Sequence, residues 1–240
     1  IHDVCLQDLD VTFAMDRAGI VGADGPTHHG LLDIAYLRSY PNIVLMAPKD
    51  ELEMRDMMFT AIDHPGPAAL RYPRGNGLGV DISAEPKKVE IGRGEVLREG
   101  DDIAIVAYGS MVYPAINAAE ILEKEGIDAT VINARFVKPL DEKLILDVAG
   151  NHRLIVTVEE AYLAGGFGSA VMELLEHHGV QDKVKVVRMG VPDRIVTHGD
   201  AKLLLAKYGL DADGIYLKVK ETAASLGAKP AGRKPLRAVK

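Results

Sequence analysis

Short apolar runs rich in β-branched residues alternate with amphipathic stretches along nearly the whole chain, and this alternation limits the fold more than any other feature. "VTFAM" reads as a buried strand and precedes a helix expected over 31–40. "NIVLMAP" reads as a strand and "DELEMRDMMFTAID" as a helix, and "AALRYP" closes this first set as another strand. Strands that are apolar throughout, separated by helices, predict parallel α/β sheets covered on both faces. Asp50 followed by Glu53 has the spacing of a helix cap, with Pro48 just before it. "HDVCLQDL" reads as helical, with Cys5 as a small buried hydrophobe.

Residues 75–90, "GNGLGVDISAEPKKVE", interrupt the pattern with glycine, proline and charge, as a linker does. A second α/β set follows. Its strands are expected in "DIAIVAYG", "DATVINAR", "RLIVTVEE" and "KVKVVRMG", and its helices over 112–125, 141–149, 168–178, 200–208 and 212–226. "GRGEVLREG" is expected to form a hairpin strand leading in. The fold expected is two doubly wound α/β domains with mostly parallel sheets, the first incomplete. The chain opens on Ile1 in the middle of an apparent helix, so further sequence is expected upstream.

Composition excludes several function classes. A net charge of −7 disfavours nucleic-acid binding, which needs a basic surface. No apolar run nears the roughly 20 residues of a membrane helix, and no basic-then-apolar leader opens the sequence. A single cysteine forbids an intramolecular disulfide and suits a reducing compartment, so the cytoplasm is expected.

Chemistry concentrates in "DRAGIVGADGPTHHG", a glycine-rich loop between strand and helix. Glycines let backbone approach a ligand, and α/β folds bind at the ends of parallel strands. Arg17 offers a planar fork for phosphate or carboxylate, Asp24 can accept from sugar hydroxyls, and His28 can donate, accept or shuttle a proton. The competing reading is a loop whose polar groups merely cap the next helix. His29 reads as a solvated neighbour, and neither histidine has a partner at zinc-ligand spacing, so no metal site is expected.

"LRYPRGN" places Arg71 and Arg74 at a strand's end beside glycine, suited to an anion or to a surface ion pair, with Arg71 able to point away from Arg74. "EEAYLAGGFGSAV" holds a G-x-G before a helix but lacks the full dinucleotide fingerprint, and reads instead as an interface-lining loop. "HGD" at 198–200 reads as an aspartate cap.

The run "HDVCLQDLDVTFAMDRAGIVGADGPTHHGLLDIAYLR", with "PKDELEMRDMM" and "RYPRGN", closely resembles the 1-deoxy-D-xylulose-5-phosphate synthase family of the thiamine-diphosphate-dependent transketolase superfamily. "RFVKPLD", "VTVEEAYLAGGFGSAV" and "GVPDRIVTHGD" resemble that family's C-terminal domain. The resemblance implies a partial pyrimidine-binding domain at 1–80, a linker at 81–91, a transketolase C-terminal-like domain at 92–228 and a disordered basic tail at 229–240. It also implies thiamine diphosphate and Mg²⁺ as cofactors, bound by residues expected upstream of this chain; taken alone, the chain is expected to hold neither and to be inactive. The family reaction joins pyruvate, with loss of CO₂, to D-glyceraldehyde 3-phosphate, supplying isoprenoid, thiamine and pyridoxal precursors. In that scheme Arg17 and Arg74 match positions that hold the substrate phosphate, while Asp24 and His28 match catalytic positions at the sugar-like end. A homodimer joined to the missing N-terminal region is implied as the assembly. A transketolase or 2-oxo acid dehydrogenase β-subunit fragment, or a non-catalytic dimerisation module, are the alternatives.

Overall fold

The computed structural model describes residues 1–227. The first sheet is built from β1 (Thr12–Met15), β2 (Val44–Met46) and β3 (Ala68–Arg71), with α1 (Asp33–Leu37) and α2 (Glu51–Ile62) between them. β3 lies between β1 and β2 and runs parallel to both. Three expectations change here. "VTFAM" is no buried strand: β1 is an edge strand, and Phe13 and Ala14 are exposed. "HDVCLQDL" forms only a short 3-10 turn at Cys5–Gln7, although Cys5 is buried as expected. The helix expected over 31–40 shortens to α1: Leu31 and Ile34 are buried and Leu37 and Tyr40 pack partly against the core, while Leu32 and Tyr36 stay exposed.

α2 starts where the aspartate signal placed it. Asp50 accepts from the Glu53 amide at 2.8 Å, satisfying one of the amides that the first helical turn leaves over, and Glu53 in turn accepts from the amide of Lys49, just before the cap, at 2.8 Å. Residues 75–90 carry no regular structure but are strapped to α2. The Glu51 carboxylate accepts from the amides of Leu78, Gly79 and Val80, and Arg55 donates to the carbonyls of Ile82, Ala84 and Glu85.

The second sheet contains β4 (Glu95–Arg98), β5 (Ile103–Ala107) and β6 (Ala129–Asn133). Next along the chain, β7 (Phe136–Lys138) leaves it, and β8 (Leu154–Tyr162) and β9 (Lys185–Val191) complete it. The order is β4-β6-β5-β8-β9, parallel except for β4, which pairs antiparallel with β6. "GRGEVLREG" therefore makes an edge strand two places from β5 rather than a hairpin with it. Helices α3 (Val112–Lys124), α4 (Glu142–Asn151), α5 (Phe167–His177), α6 (Ala201–Lys207) and α7 (Ala212–Ser225) follow in chain order. Asp141, Asp200 and Asp211 cap α4, α6 and α7 through their side chains. The basic tail assigned to 229–240 lies outside the described residues. No helix among the described residues is long and apolar enough to cross a membrane.

Two features join the halves. β7 pairs antiparallel with β2, so the first sheet is completed by a strand from the second half of the chain. One buried hydrophobic cluster also runs from Ile34, Leu45 and Ala69 to Val106, Tyr108, Ile132 and Phe167. In the second sheet β5 connects outward to β6 on one side, whereas its neighbour β8 connects outward to β9 on the other. The crevice at the C-terminal ends of β5 and β8 is thus the switch point where open α/β sheets commonly take ligands.

Candidate active-site loop

Residues 16–30 leave the end of β1 and return to α1 as a closed loop. Gly19 and Gly30 exchange both backbone hydrogen bonds, at 2.8 and 2.9 Å, and so tie its two ends together. Gly30 must be glycine, since a Cβ there would lie 2.2 Å from the Arg17 carbonyl oxygen. Arg17 adopts φ +61°, a left-handed conformation unusual for a side-chain-bearing residue.

The loop brings three of the four expected residues together. Asp24 Oδ2 accepts from Arg74 Nη1 at 2.8 Å and lies 3.6 Å from Arg17 Nε. Arg17 also pairs with the adjacent Asp16. The Arg17 Nε is a buried atom with no hydrogen-bond partner among the described residues. Two guanidinium groups share one carboxylate here, and both remain about half exposed at 42% and 54%. Asp16 and Asp24 balance the two positive charges, so what the cluster offers at a solvent-facing surface is guanidinium N–H donors, which suit a phosphate ester.

His28 stands apart from this cluster. It is exposed, its amide donates to Gly25 O at 3.0 Å, and its Nδ1 lies 2.9 Å from Thr27 Oγ1. When the Thr27 hydroxyl donates to Nδ1, the neutral ring carries its proton on Nε2, the nitrogen turned away from that bond.

His29 is not the solvated neighbour that its sequence suggested. Its Nδ1 accepts from the Val21 amide at 3.0 Å, which leaves the proton on Nε2, 3.3 Å from the Thr197 carbonyl. The ring therefore braces the loop against the second domain. Arg71 likewise departs from its anion-binding reading. It is buried, donates to Asp33 at 2.7 Å, and reaches the carbonyls of Gly30 and Glu160 at 3.1 and 3.2 Å. Its guanidinium lies 5.9 Å over the Tyr108 ring.

Two further buried acids come from the end of β8. Burial pushes the Glu159 carboxyl up to about 7, partly offset by the amides it accepts from. Those amides, Phe167 N at 2.6 Å and Gly168 N at 2.8 Å, belong to the first turn of α5. The glycine-rich turn thus offers its helix N-terminus to an internal carboxylate, leaving those donors unavailable to a nucleotide phosphate. Glu160 accepts from the Ile20 amide at 2.7 Å and from the Ser110 hydroxyl at 2.6 Å. Nothing local in "VEEAY" marks either role: the contact with Ile20 spans 140 residues.

The family model described as "Transketolase, C-terminal domain" matches residues 92–215, and "Transketolase, pyrimidine binding domain" matches residues 1–78. Among curated relatives, 1-deoxy-D-xylulose-5-phosphate synthase 1 of Geobacter metallireducens is 59% identical over 219 residues, covering 91% of this chain and 35% of that protein. The synthase of Thermomicrobium roseum is 59% identical over 216 residues, covering 90% and 34%. The chain therefore spans about a third of the length of the curated relatives it matches. A solved structure described as "Split gene transketolase, inactive beta4 tetramer" superposes with a TM-score of 0.80 at 35% identity, covering 92% of this chain and 69% of that one. A transketolase from Pichia stipitis shares the fold, with a TM-score of 0.70 at 24% identity.

Proposed function

This chain belongs to the transketolase family, and from that premise we propose that it forms the substrate-loop and C-terminal part of a 1-deoxy-D-xylulose-5-phosphate synthase. The observation that carries the proposal is the cluster that Arg17 and Asp24 of the closed loop 16–30 form with Arg74, which follows β3. The relatives at 59% identity name the reaction of which that cluster would be a part. Within it, Arg17 and Arg74 hold the phosphate of glyceraldehyde 3-phosphate, with Asp24 keeping the two guanidinium groups in register. The free oxygen of Asp24 accepts from a substrate hydroxyl. His28 donates a proton to the aldehyde oxygen as that oxygen takes on negative charge.

The family implies dependence on thiamine diphosphate, and we propose Mg²⁺ with it. The described residues do not by themselves fit that cofactor. Each of the buried acids Asp33, Glu53, Asp141, Glu159 and Glu160 already has an internal partner. That leaves none of them to bond an aminopyrimidine nitrogen. Among the described residues no cluster of three or more His, Cys, Asp or Glu is placed to hold a metal. We therefore assign cofactor binding to sequence outside this chain, and regard the chain alone as inactive. The split-gene structure, described as an inactive beta4 tetramer, supports that view and homo-oligomeric assembly, and we propose a dimer for the intact protein. The buried, unpaired Cys5 fits a cytoplasmic setting.

The test is to express the complete reading frame and assay it with pyruvate, glyceraldehyde 3-phosphate, thiamine diphosphate and Mg²⁺. Release of CO₂ with formation of a pentulose phosphate is expected, and a protein that consumes neither substrate would refute the proposal. Titration of the cofactor and Mg²⁺ into residues 1–240 alone should give no stoichiometric heat. Tight binding there would overturn the assignment of cofactor binding to other sequence.

A further inference from the structure

Loop 16–30 sits on the second domain at the place where that domain would otherwise take a ligand. Ser110 follows β5 and Glu160 lies at the end of β8, so both stand at the switch-point crevice of the second sheet. The crevice is filled by the loop's own backbone. Ile20 and Leu31, one on each side of the loop, are buried in the same cluster as Ile105, Val158 and Val191 of the second domain. Gly19, at φ +82°, passes so close over the acid that a Cβ there would lie 2.3 Å from Glu160 Cδ. At the far side, Gly199 N donates to Gly22 O at 3.2 Å.

A buried carboxylate is costly unless its lone pairs are used, and packing alone would be served better by an apolar residue. Glu160 is 5% exposed, and each of its oxygens accepts one hydrogen bond. One bond comes from the loop and the other from its own domain. Arg71 adds a third tie, joining the Gly30 carbonyl to the Glu160 carbonyl.

We infer that Glu160, clamped by Ser110, is a positioning residue that fixes the Ile20 amide and thereby the backbone carrying Arg17 and Asp24. The inference rests on the functional reading above only in what the loop is positioned for. The second domain thus helps set the specificity of the first, although it supplies none of the four expected substrate residues. A displacement of about 1 Å in such a group can cost about a hundredfold in rate.

The complete protein with Glu160→Ala should show faster amide exchange in the peptide covering 16–30, by about tenfold or more, with peptides of β5 and α3 unchanged. The KM for glyceraldehyde 3-phosphate should rise about tenfold, while the KM for pyruvate moves less than about twofold. Glu160→Gln should restore both, since its amide oxygen can accept from Ile20 and its NH₂ can donate to Ser110 Oγ. Ser110→Ala, which leaves the acid in place, should shift both readouts in the same direction by less, and it decides the matter if Glu160→Ala does not fold. Wild-type exchange in 16–30 for Glu160→Ala or Ser110→Ala, or a Gln variant as impaired as Ala, would overturn the inference. A complete protein without synthase activity would sink the functional reading, and the exchange data would still decide the anchoring role.

Discussion

Arg74 carries the sharpest expectation for a single residue. It is half exposed and, among the described residues, bonded only to Asp24, so its loss should leave the fold intact. Arg74→Ala should remove one charge-assisted contact worth about 1.5–3 kcal/mol, raising the aldehyde KM about 10- to 150-fold and the pyruvate KM far less. Steady-state kinetics with each substrate varied in turn would check this, and equal effects on both would remove Arg74 from the phosphate site. His28→Ala should lower kcat with little change in either KM, and an unchanged kcat would leave His28 a surface residue. Glu159 makes a prediction about pH. Its carboxyl is raised by burial from 4.5 to about 7, so between those values the folded protein holds a proton that the unfolded chain has lost. Stability therefore falls as pH rises through that window and levels off above it. Glu159→Gln cannot ionise, so its stability relative to wild type should improve by up to about 3 kcal/mol from pH 4.5 to 7.5. Urea denaturation at both pH values measures the difference, and a constant gap would mean that Glu159 does not titrate there.

At the scale of elements, α2 shows what a few neighbouring residues can specify. Asp50 and Glu53 announce its start in the sequence, and Asp50 caps it as expected. The same aspartate accepts from the Tyr113 hydroxyl of α3 at 3.0 Å, a contact that no local spacing encodes. Asp50→Ala should therefore cost about 2 kcal/mol, a cap of about 1 plus a buried hydrogen bond of about 1, whereas Tyr113→Phe should cost only the latter. Chemical denaturation of the two variants and their combination separates these parts. If the double variant is no worse than Asp50→Ala, the two contacts act through one group. β1 and α1 show the opposite case. "VTFAM" is apolar except for Thr12, and composition cannot tell a central strand from an edge strand. The pattern of 31–40 likewise marks apolar positions without saying which of them will meet a core.

For the whole molecule, the junction around Glu53 matters most. Its carboxylate, 3% exposed, accepts from Arg135 Nε at 2.6 Å and from Asn133 Nδ2 at 2.9 and 3.0 Å, both from the second half of the chain. Lys49 lies 3.3 Å away, and Arg135 continues to Glu95 at 2.8 Å. Glu53→Ala leaves Arg135 and Lys49 without their shared buried anion, and should destabilise the protein by about 3–5 kcal/mol. It should also split a single thermal transition into two, because the latch beside β7 is released. Calorimetry would show this, and one unshifted transition would mean that the shared core alone holds the halves together. The alternation of strands and helices, the aspartate caps of α2 and α6, and the glycine loop carrying Arg17, Asp24 and His28 were determined by sequence alone. Each depends on interactions within a few residues, which a local pattern records. Tertiary structure alone decided that β7 completes the first sheet, that Arg71 is internal, that His29 is a brace, and that Glu160 lies beneath the loop. Those outcomes depend on which groups find each other across 38 to 168 residues of chain, and burial penalises an unpaired polar group too heavily for the choice to be left open.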